Sequence, residues 1–199
     1  MEKRILLGTA NPAKIHIVRV ALETLPITVL TLGDLNINLS VKEDGQTTEE
    51  NAQLKARAYF TASQVPTLAI DGGLYVEKFP LGKQPETLVR RIYGENREAT
   101  DEDVLEYYQK ELEAVGGESA ATWRGAMALM LAPEEMVSDT FFFKAILTSR
   151  RNGRGFPGAP LDALMIDPAT GKYYSEMSWQ ERPDTRWIGE FVKRYIEEL

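Results

Sequence analysis

The chain has 199 residues, of which 43% are hydrophobic and 27% charged, as is typical of a globular protein folding as one domain over residues 1–199. Apolar runs such as Ala126–Ala132 are far shorter than the roughly 20 residues of a membrane helix. Without a secretory leader, the chain is expected to be cytoplasmic. It has no cysteine and one histidine, His16, which excludes thiolate chemistry and Cys- or His-rich metal centres. Any catalysis would therefore use carboxylates, lysines and arginines.

The charge balance limits the class of partner. The chain carries 23 basic and 30 acidic side chains, a net charge of −7, and such an acidic surface repels nucleic acid. We therefore expect no nucleic-acid partner, and the short apolar runs lead us to expect no membrane partner. A small polyphosphate remains possible where a few cations converge and a divalent metal ion neutralises the remaining charge.

The first third of the chain alternates between strand and helix patterns. A strand–helix–strand rhythm is typical of an α/β fold with parallel strands, whose ligand crevice lies beyond the carboxyl ends of the strands. The predicted elements are a strand from Arg4 to Thr9, a helix from Asn11-Pro12 to about Thr24, a strand from Ile27 to Leu32, an irregular acidic connection from Gly33 to Gly45, a helix opened by the capping box Thr47/Glu50 and running to about Ser63, and a strand from Thr67 to Ile70.

The remainder predicts a helical lobe, a strand pair and a final helix. Val104, Tyr107, Tyr108 and Leu112 share one face of the second lobe helix. The predicted elements are helices from Pro85 to Tyr93 and from Asp101 to Val115, antiparallel strands from Ser119 to Leu131 and from Val137 to Arg150 with Phe141–Phe143 in the core, a Gly/Pro loop, a short hairpin at Pro168–Gly171, and a helix from about Thr185 to Glu198.

The first strand-to-helix corner is a candidate phosphate site. It holds the hydroxyl of Thr9, the amide of Asn11 and the ammonium of Lys14 at a helix N-terminus, where free N–H groups favour an anion. A capped helix with a solvated lysine explains the same residues, and the spacing alone leaves both interpretations open.

The acidic connection and the helix after it are a candidate metal site. Glu43, Asn51 and Lys55 can face one crevice, and carboxylate oxygens suit Mg²⁺. Glu49 and Glu50 are also what a first helical turn prefers, whereas Glu43 has no capping role. Asp71, followed by Gly72 and Gly73, either ends the third strand at the crevice or forms a tight turn.

A late loop, Gly153–Gly158, formally matches the glycine pattern of dinucleotide-binding folds. Pro157 and Pro160 obstruct the helix that such a pattern must open, so we reject a dinucleotide site. The loop retains arginines and the stackable Phe156, which could grip a phosphate and a base, or form an exposed basic turn. His16 is expected to be a helix-surface or packed residue.

Taken in order, these segments resemble the inosine triphosphate pyrophosphatases, which remove aberrant purine nucleoside triphosphates. ILLGTANPAK is similar to the family's opening T-x-N-x-x-K, and EDGQTTEENAQLKA to E-x-G-x-T-x-x-E-N-A-x-x-K-A. AIDGGLYV resembles A-D-D-S-G-L-x-V, and GKYYSEM resembles G-K-x-x-A-E-M. The resemblance spans the chain and implies an α/β ITPase-like fold, with a central mixed twisted sheet, flanking helices in two lobes around a nucleotide cleft, and a homodimer.

The resemblance also implies roles for individual residues. Thr9, Asn11 and Lys14 would hold the triphosphate, and Asp71 would activate the attacking water with Lys55 as its catalytic partner. Glu43 and Asp71 would bind Mg²⁺, while Asn51 and Lys55 would contact the phosphate and the metal site. Further substrate contacts are expected from Gly72, Gly73, Phe156, Arg182 and Arg186. The implied reaction gives a nucleoside monophosphate and pyrophosphate, with ITP, dITP and XTP as expected substrates.

Departures from the family pattern cluster on base recognition. Ile70 and Gly72 replace an aspartate and a serine, Gly155–Pro160 lacks an aspartate, and Asp184–Arg186 lacks a histidine, with Arg182 in place of a lysine. The phosphate chemistry is therefore expected to persist with an altered base preference. A nucleotide sensor without turnover is the alternative, and a nucleic-acid binder using Arg150–Arg154 is disfavoured by the net charge.

Overall fold

The computed structural model describes residues 3–94 and 99–199 of the chain. The fold divides into two compact units. The first unit comprises the chain up to Gly72, Gly125–Phe141 and Trp179–Leu199, and the second comprises Gly73–Arg124 and Phe142–Ser178. Because each unit is assembled from separate chain segments, no single cut in the sequence separates them.

Six strands and four α-helices make up the described residues, with four short 3₁₀ turns between them. The fold is therefore α/β, as the sequence predicts. In chain order the elements are β1 (Lys3–Leu7), α1 (Pro12–Leu22), β2 (Ile27–Leu30), α2 (Thr48–Ser63), β3 (Thr67–Val76), a 3₁₀ turn (Leu81–Lys83), α3 (Asp101–Ala114), β4 (Glu118–Ala132), β5 (Glu135–Thr148), a 3₁₀ turn (Pro160–Ala163), β6 (Met165–Ile166), 3₁₀ turns at Tyr174–Glu176 and Trp179–Glu181, and α4 (Pro183–Arg194).

The six strands form one mixed sheet in the order β2-β1-β3-β4-β5-β6. β1 runs parallel to β2, with Lys3 opposite Ile27, and parallel to β3, with Leu6 opposite Thr67. β5 and β6 are antiparallel. Parallel pairing of β1 with both neighbours confirms the predicted strand–helix rhythm, because α1 and α2 supply the crossovers that parallel strands require.

The predicted starts of α1 and α2 are confirmed. The Asn11 side chain accepts hydrogen bonds from the backbone N–H groups of Ala13 and Lys14, and Pro12 opens α1. Thr47 and Glu50 form the reciprocal capping box of α2. These caps satisfy N–H groups that a helix start leaves without a partner, so the sequence determines where each helix begins.

The third strand does not end at Ile70, and that prediction is wrong. β3 continues from Thr67 to Val76, so Asp71, Gly72 and Gly73 lie within a strand and form no turn. The continuation buries Leu74 to 1% and Val76 to 0% exposure. Burial of these apolar side chains outweighs the turn preference of Asp-Gly, because an extended glycine backbone costs only a few tenths of a kcal/mol to about 1 kcal/mol.

The predicted helix from Pro85 to Tyr93 is absent, since this stretch contains only turns and one bridge to β3. Leu74 and Glu86 exchange two backbone hydrogen bonds, each 2.9 Å long, and Glu86 has a φ of 47°. The pairing with β3 uses the Glu86 carbonyl oxygen that a helix from Pro85 would need for its i to i−4 bond, and a φ of 47° lies outside the helical region. Tertiary pairing therefore overrides the helical pattern.

α3 and the β4–β5 hairpin match their predictions, with one exception. α3 buries Val104, Leu105, Tyr108 and Leu112, and the partly buried Tyr107 packs against the same core. Pro133 and Glu134 connect β4 to β5, and so short a connection makes the pair antiparallel. Of the Phe141–Phe143 run, Phe142 is 66% exposed and lies outside the core, because alternate residues of a strand point to opposite faces.

In the last third of the chain the predicted elements are present with shifted ends, together with three 3₁₀ turns that the sequence patterns did not predict. α4 begins at Pro183 and ends at Arg194, and Gly153–Gly158 opens no helix, as expected. The predicted hairpin at Pro168–Gly171 is present as a turn closed by the Ile166–Tyr173 bridge. Among residues 3–94 and 99–199, no helix combines the length and the apolar character needed to cross a membrane.

Candidate active site

A buried lysine–carboxylate pair is the centre of the candidate site. Lys55 on α2 places its Nζ 2.5 Å from Oδ1 of Asp71 on β3, and the two side chains are 8% and 5% exposed. The helix can approach the sheet because small residues line this contact, including Ala52, Ala56 and Ala69. Two charges removed from water are tolerated only when they are paired and hydrogen-bonded, so each depends on the other.

A second lysine reaches the same place from α1. Lys14 Nζ lies 3.0 Å from the carbonyl oxygen of Ile70 and 3.9 Å from Asp71 Oδ1. Lys55 Nζ also donates to the Ile70 carbonyl oxygen, at 3.3 Å. Two ammonium groups thus converge on one backbone oxygen and one carboxylate. Their combined positive charge exceeds the negative charge of Asp71.

The crowding of charge affects Lys14. Burial, together with the charge of Lys55, lowers the pKa of Lys14 to about 8, while Asp71 and Glu43 act in the opposite direction. The Lys14 side chain is 31% exposed, so part of it remains accessible to solvent. The lowered pKa means that neighbouring groups only partly offset the positive charge and burial of the Lys14 ammonium. A bound anion would stabilise that charge further.

Glu43 provides the second carboxylate. Its Oε1 lies 3.6 Å from Lys55 Nζ, and its side chain is 36% exposed. It projects from the irregular connection that precedes α2, as the sequence predicts for a residue with no capping role. Lys55 therefore contacts two carboxylates, Glu43 and Asp71, which come from separate elements of the first unit.

One oxygen of Asp71 has no assigned partner in the described part of the chain. Oδ2 is buried and accepts no hydrogen bond from residues 3–94 or 99–199. Leaving a buried acceptor unsatisfied costs about 1–3 kcal/mol, so such an atom indicates a ligand or a water molecule.

Within residues 3–94 and 99–199, no group of three or more His, Cys, Asp or Glu side chains could hold a metal ion. Glu43 and Asp71 fit Mg²⁺, which typically takes one or two carboxylates together with substrate phosphates.

The strand-to-helix corner is ordered by its own polar groups. Thr9 Oγ1 accepts from the backbone N–H of Asn11 at 3.1 Å, and Asn11 Oδ1 accepts from Ala13 and Lys14 at 2.9 and 3.1 Å. The side-chain oxygen of Asn11 is thus used as a helix cap. The corner still presents a helix N-terminus beside Lys14, which is an arrangement that attracts anions.

The other predicted substrate contacts are distributed over both units. Gly72 is half-buried and Gly73 buried, both within β3. Phe156 is half-buried in a tight turn of the second unit, closed by a bridge to Ala159. Arg186 is exposed on α4, whereas Arg182 is only 5% exposed at the start of that helix.

Two features of the first unit have no counterpart among the predicted site residues. The first is the Ile70 carbonyl oxygen, since a backbone acceptor leaves no side-chain signal in a sequence. The second is Trp179, whose ring lies 3.6 Å from the Arg182 guanidinium carbon and 4.8 Å from the His16 ring. Arginine on an aromatic face is a recurring stabilising contact. The proximity of Trp179 and Arg182 in the sequence was the signal that could have predicted this contact.

Lys14, Glu43, Lys55 and Asp71 therefore form one connected cluster in the first unit. Two cations, two carboxylates and one unsatisfied carboxylate oxygen suit an anionic ligand bound with a metal ion, and a water molecule held for proton transfer. Such a cluster on an α/β fold is typical of the class of proteins that bind a phosphorylated ligand.

Comparison with known proteins identifies the family. A sequence profile described as the Ham1 family matches residues 5–185, and this chain belongs to that family. A dITP/XTP pyrophosphatase of Thermus thermophilus is 30% identical over 196 residues, covering 98% of this chain and 90% of that protein. The dITP/XTP pyrophosphatase of Thermoanaerobacter sp. strain X514 is 31% identical over 180 residues, covering 90% and 87%.

Solved structures agree on the fold. A HAM1 protein from Coxiella burnetii matches with a TM-score of 0.77 and 23% identity, over 99% of this chain and 100% of that chain. The Ham1 protein of Staphylococcus aureus matches with a TM-score of 0.73 and 23% identity, over 98% of each chain. The predicted family resemblance and fold class are confirmed.

Proposed function

We propose that this chain is a Mg²⁺-dependent nucleoside triphosphate pyrophosphatase, a hydrolase that converts non-standard purine nucleotides such as dITP, ITP and XTP to the monophosphate and pyrophosphate. The observation that carries the proposal is the buried Lys55–Asp71 pair, in which Asp71 Oδ2 is buried and accepts no hydrogen bond from the described residues. The names of the relatives from Thermus and Thermoanaerobacter support the reaction and the substrate class. The whole chain would form one catalytic domain and act as a homodimer, which rests on the family resemblance alone.

The chemistry follows from what the cluster can do. Asp71 Oδ2 accepts a proton from a water molecule while Lys55 holds Oδ1, so that the carboxylate is oriented for this transfer. The water oxygen forms a bond to the α-phosphorus, the bond to the bridging oxygen breaks, and that oxygen leaves with pyrophosphate. Lys14 and Lys55 offset the charge of the triphosphate, and a divalent cation at Glu43 and Asp71 would supply further charge stabilisation.

The identity of the released product tests this proposal. With ITP or dITP and Mg²⁺, we expect phosphate to be detected only after inorganic pyrophosphatase is added, and chelation by EDTA to abolish turnover. Orthophosphate released directly would indicate cleavage at the γ-phosphate and contradict the proposal. Nucleotide binding without turnover would favour the sensor function instead. Including GTP and ATP in the same assay measures how far the altered base-recognition segments change selectivity.

The pKa of Lys14 predicts a pH dependence of kcat/KM. The folded-state pKa of about 8 lies below the ordinary value of 10.5, so the charge of Lys14 is present below pH 8 and lost as the pH rises through it. We expect kcat/KM for the triphosphate to fall above about pH 8, because kcat/KM reports groups of the free enzyme. Lys14→Arg keeps its charge and should remove this fall; a fall that persists in Lys14→Arg would assign it to another group.

The same shift predicts an effect on folding stability with the opposite sign to the effect on function. Between pH 8 and 10.5 the unfolded chain binds the proton more tightly than the folded chain, so the free energy of unfolding rises with pH. Lys14→Met should therefore be more stable than the wild type at pH 7, while binding triphosphate more weakly. Chemical denaturation at pH 7 and pH 10 measures this, and the gain should shrink at the higher pH.

A further inference from the structure

Asn51 is a buried polar residue whose side chain is engaged by a loop. It lies on α2, is 2% exposed, and accepts a hydrogen bond on Oδ1 from the backbone N–H of Gly45 at 2.9 Å. Its Nδ2 donates to the Gly45 carbonyl oxygen at 3.4 Å. One amide side chain thus contacts both backbone polar groups of a single residue, six positions earlier in the chain.

The contact is close enough to require glycine at position 45. A Cβ at Gly45 would lie 2.8 Å from Asn51 Oδ1, 2.8 Å from Glu50 Cβ and 3.1 Å from the Asn51 backbone nitrogen. Ordinary carbon contacts are about 3.5–4.0 Å, so any side chain would push the loop away from the helix. The requirement comes from close approach and not from φ.

Glu50 holds the next part of the loop. Its Oε2 accepts hydrogen bonds from the backbone N–H groups of Gln46 and Thr47, at 2.6 and 3.3 Å. We refer to Lys42–Thr47 as the acidic loop. The acidic loop is therefore fastened to the first turn of α2 by two neighbouring side chains, with Asn51 holding the part nearest Glu43.

The fastening determines where Glu43 lies. Asn51 and Lys55 are four positions apart on α2 and therefore share a face of the helix. Gly45, held by Asn51, is two residues from Glu43, whose Oε1 lies 3.6 Å from Lys55 Nζ. A released loop would remove Glu43 from Lys55, while the Lys55–Asp71 contact at 2.5 Å depends on α2 and β3 alone.

We propose that Asn51 is a positioning residue that fixes Glu43 for a divalent cation by clamping the acidic loop at Gly45, and that it does not itself contact the substrate phosphate. The proposal deepens the proposed function, on which it rests for the role of Glu43. A carboxylate held in place binds a metal ion more tightly than a mobile one, since the loop entropy is already lost before binding.

The test combines three variants with one matched control. Asn51→Ala removes both hydrogen bonds, Asn51→Asp retains only the acceptor, and Gly45→Ala disrupts the contact from the other side. Gln53→Ala is the control, because it removes an amide on the same helix that bonds to Ser138 at 3.2 Å and not to the loop. We expect faster hydrogen exchange of the acidic loop in the three variants and wild-type exchange in the control.

Metal binding is the second readout. Mn²⁺ binding without nucleotide, followed by the electron paramagnetic resonance of the free ion, should weaken about 10-fold or more in the three variants, the usual effect of losing a residue that orients a ligand. In a Glu43→Gln background, adding Asn51→Ala should not weaken Mn²⁺ binding any further than Glu43→Gln does alone. An additive effect in that background, or a raised KM for triphosphate at saturating metal with an unchanged loop, would overturn the proposal.

The readouts separate this proposal from the proposed function, because hydrogen exchange and Mn²⁺ binding need no turnover. If the wild type is inactive but the variants change hydrogen exchange and Mn²⁺ binding as expected, the pyrophosphatase assignment is contradicted and the clamp is supported. If the variants do not fold, the wild type alone decides: the Gly45 amide should exchange as slowly as the helical amides of α2, and rapid exchange would overturn the clamp.

Discussion

Asp71→Asn is expected to lower kcat by about 10²-fold or more, the usual contribution of a positioned acid–base group, while nucleotide binding is largely retained. The substitution keeps one side-chain oxygen that can accept the hydrogen bond from Lys55. The other carboxylate oxygen becomes an amide NH₂ group, which cannot accept a proton from water. Single-turnover hydrolysis and nucleotide binding, measured separately, distinguish lost chemistry from lost affinity.

Asp44→Asn is the matched control for this variant. Asp44 is exposed and pairs with Lys42 at 3.3 Å, so its loss removes the same charge from a neighbouring part of the first unit without touching the cluster. The control should keep turnover near that of the wild type. Near-normal turnover in Asp71→Asn would contradict the assignment of Asp71 as the base.

Lys55→Met is expected to cost about 3 kcal/mol of folding stability in addition to activity. The substitution leaves Asp71, 5% exposed, without the ammonium that lies 2.5 Å away. Removal of one partner from a buried pair typically costs roughly 3–5 kcal/mol. The lower end of that range applies because Lys14 Nζ, at 3.9 Å, can compensate part of the charge. Chemical denaturation at neutral pH measures the effect.

Two further variants identify the cause of that loss. Lys42→Met removes a lysine whose side chain is 84% exposed, and exposed pairs contribute only about 0–1 kcal/mol. The double variant Lys55→Met/Asp71→Asn removes both charges and should recover much of the stability but none of the turnover. Equal costs for Lys55→Met and Lys42→Met would show that burial of the pair has no energetic consequence.

Local signals in the sequence determined the starts of α1 and α2 and much of the sheet. Asn11-Pro12 and the Thr47/Glu50 capping box predict α1 and α2 because the side chains that cap them are adjacent in sequence to the N–H groups they satisfy. The apolar runs of β1 and β2 and the hairpin turn between β4 and β5 are local in the same sense. The family motifs likewise depend on spacing within short segments, and the family that they predict is confirmed by the profile that matches residues 5–185.

Tertiary structure decided the elements for which local preference and long-range pairing disagree. Asp71-Gly72-Gly73 favours a turn locally, yet burial of Leu74 and Val76 extends the strand through it. The stretch from Pro85 to Tyr93 has a helical pattern, but Glu86 at its start exchanges backbone hydrogen bonds with Leu74 and adopts a φ of 47° that a helix does not allow. In both cases the deciding partner is not visible in the local pattern.

The candidate site divides in the same way. The sequence by itself determined which residue types are available, since the absence of cysteine and the single histidine leave carboxylates and lysines to carry the chemistry. Only the tertiary structure decided that Lys14 and Lys55, from two helices, both donate to the Ile70 carbonyl oxygen, and that Asn51 contacts Gly45. Such contacts depend on how closely the helices pack on the sheet. Small buried residues such as Ala52 and Ala69 allow the close approach, but the spacing of residues along the sequence does not specify its geometry.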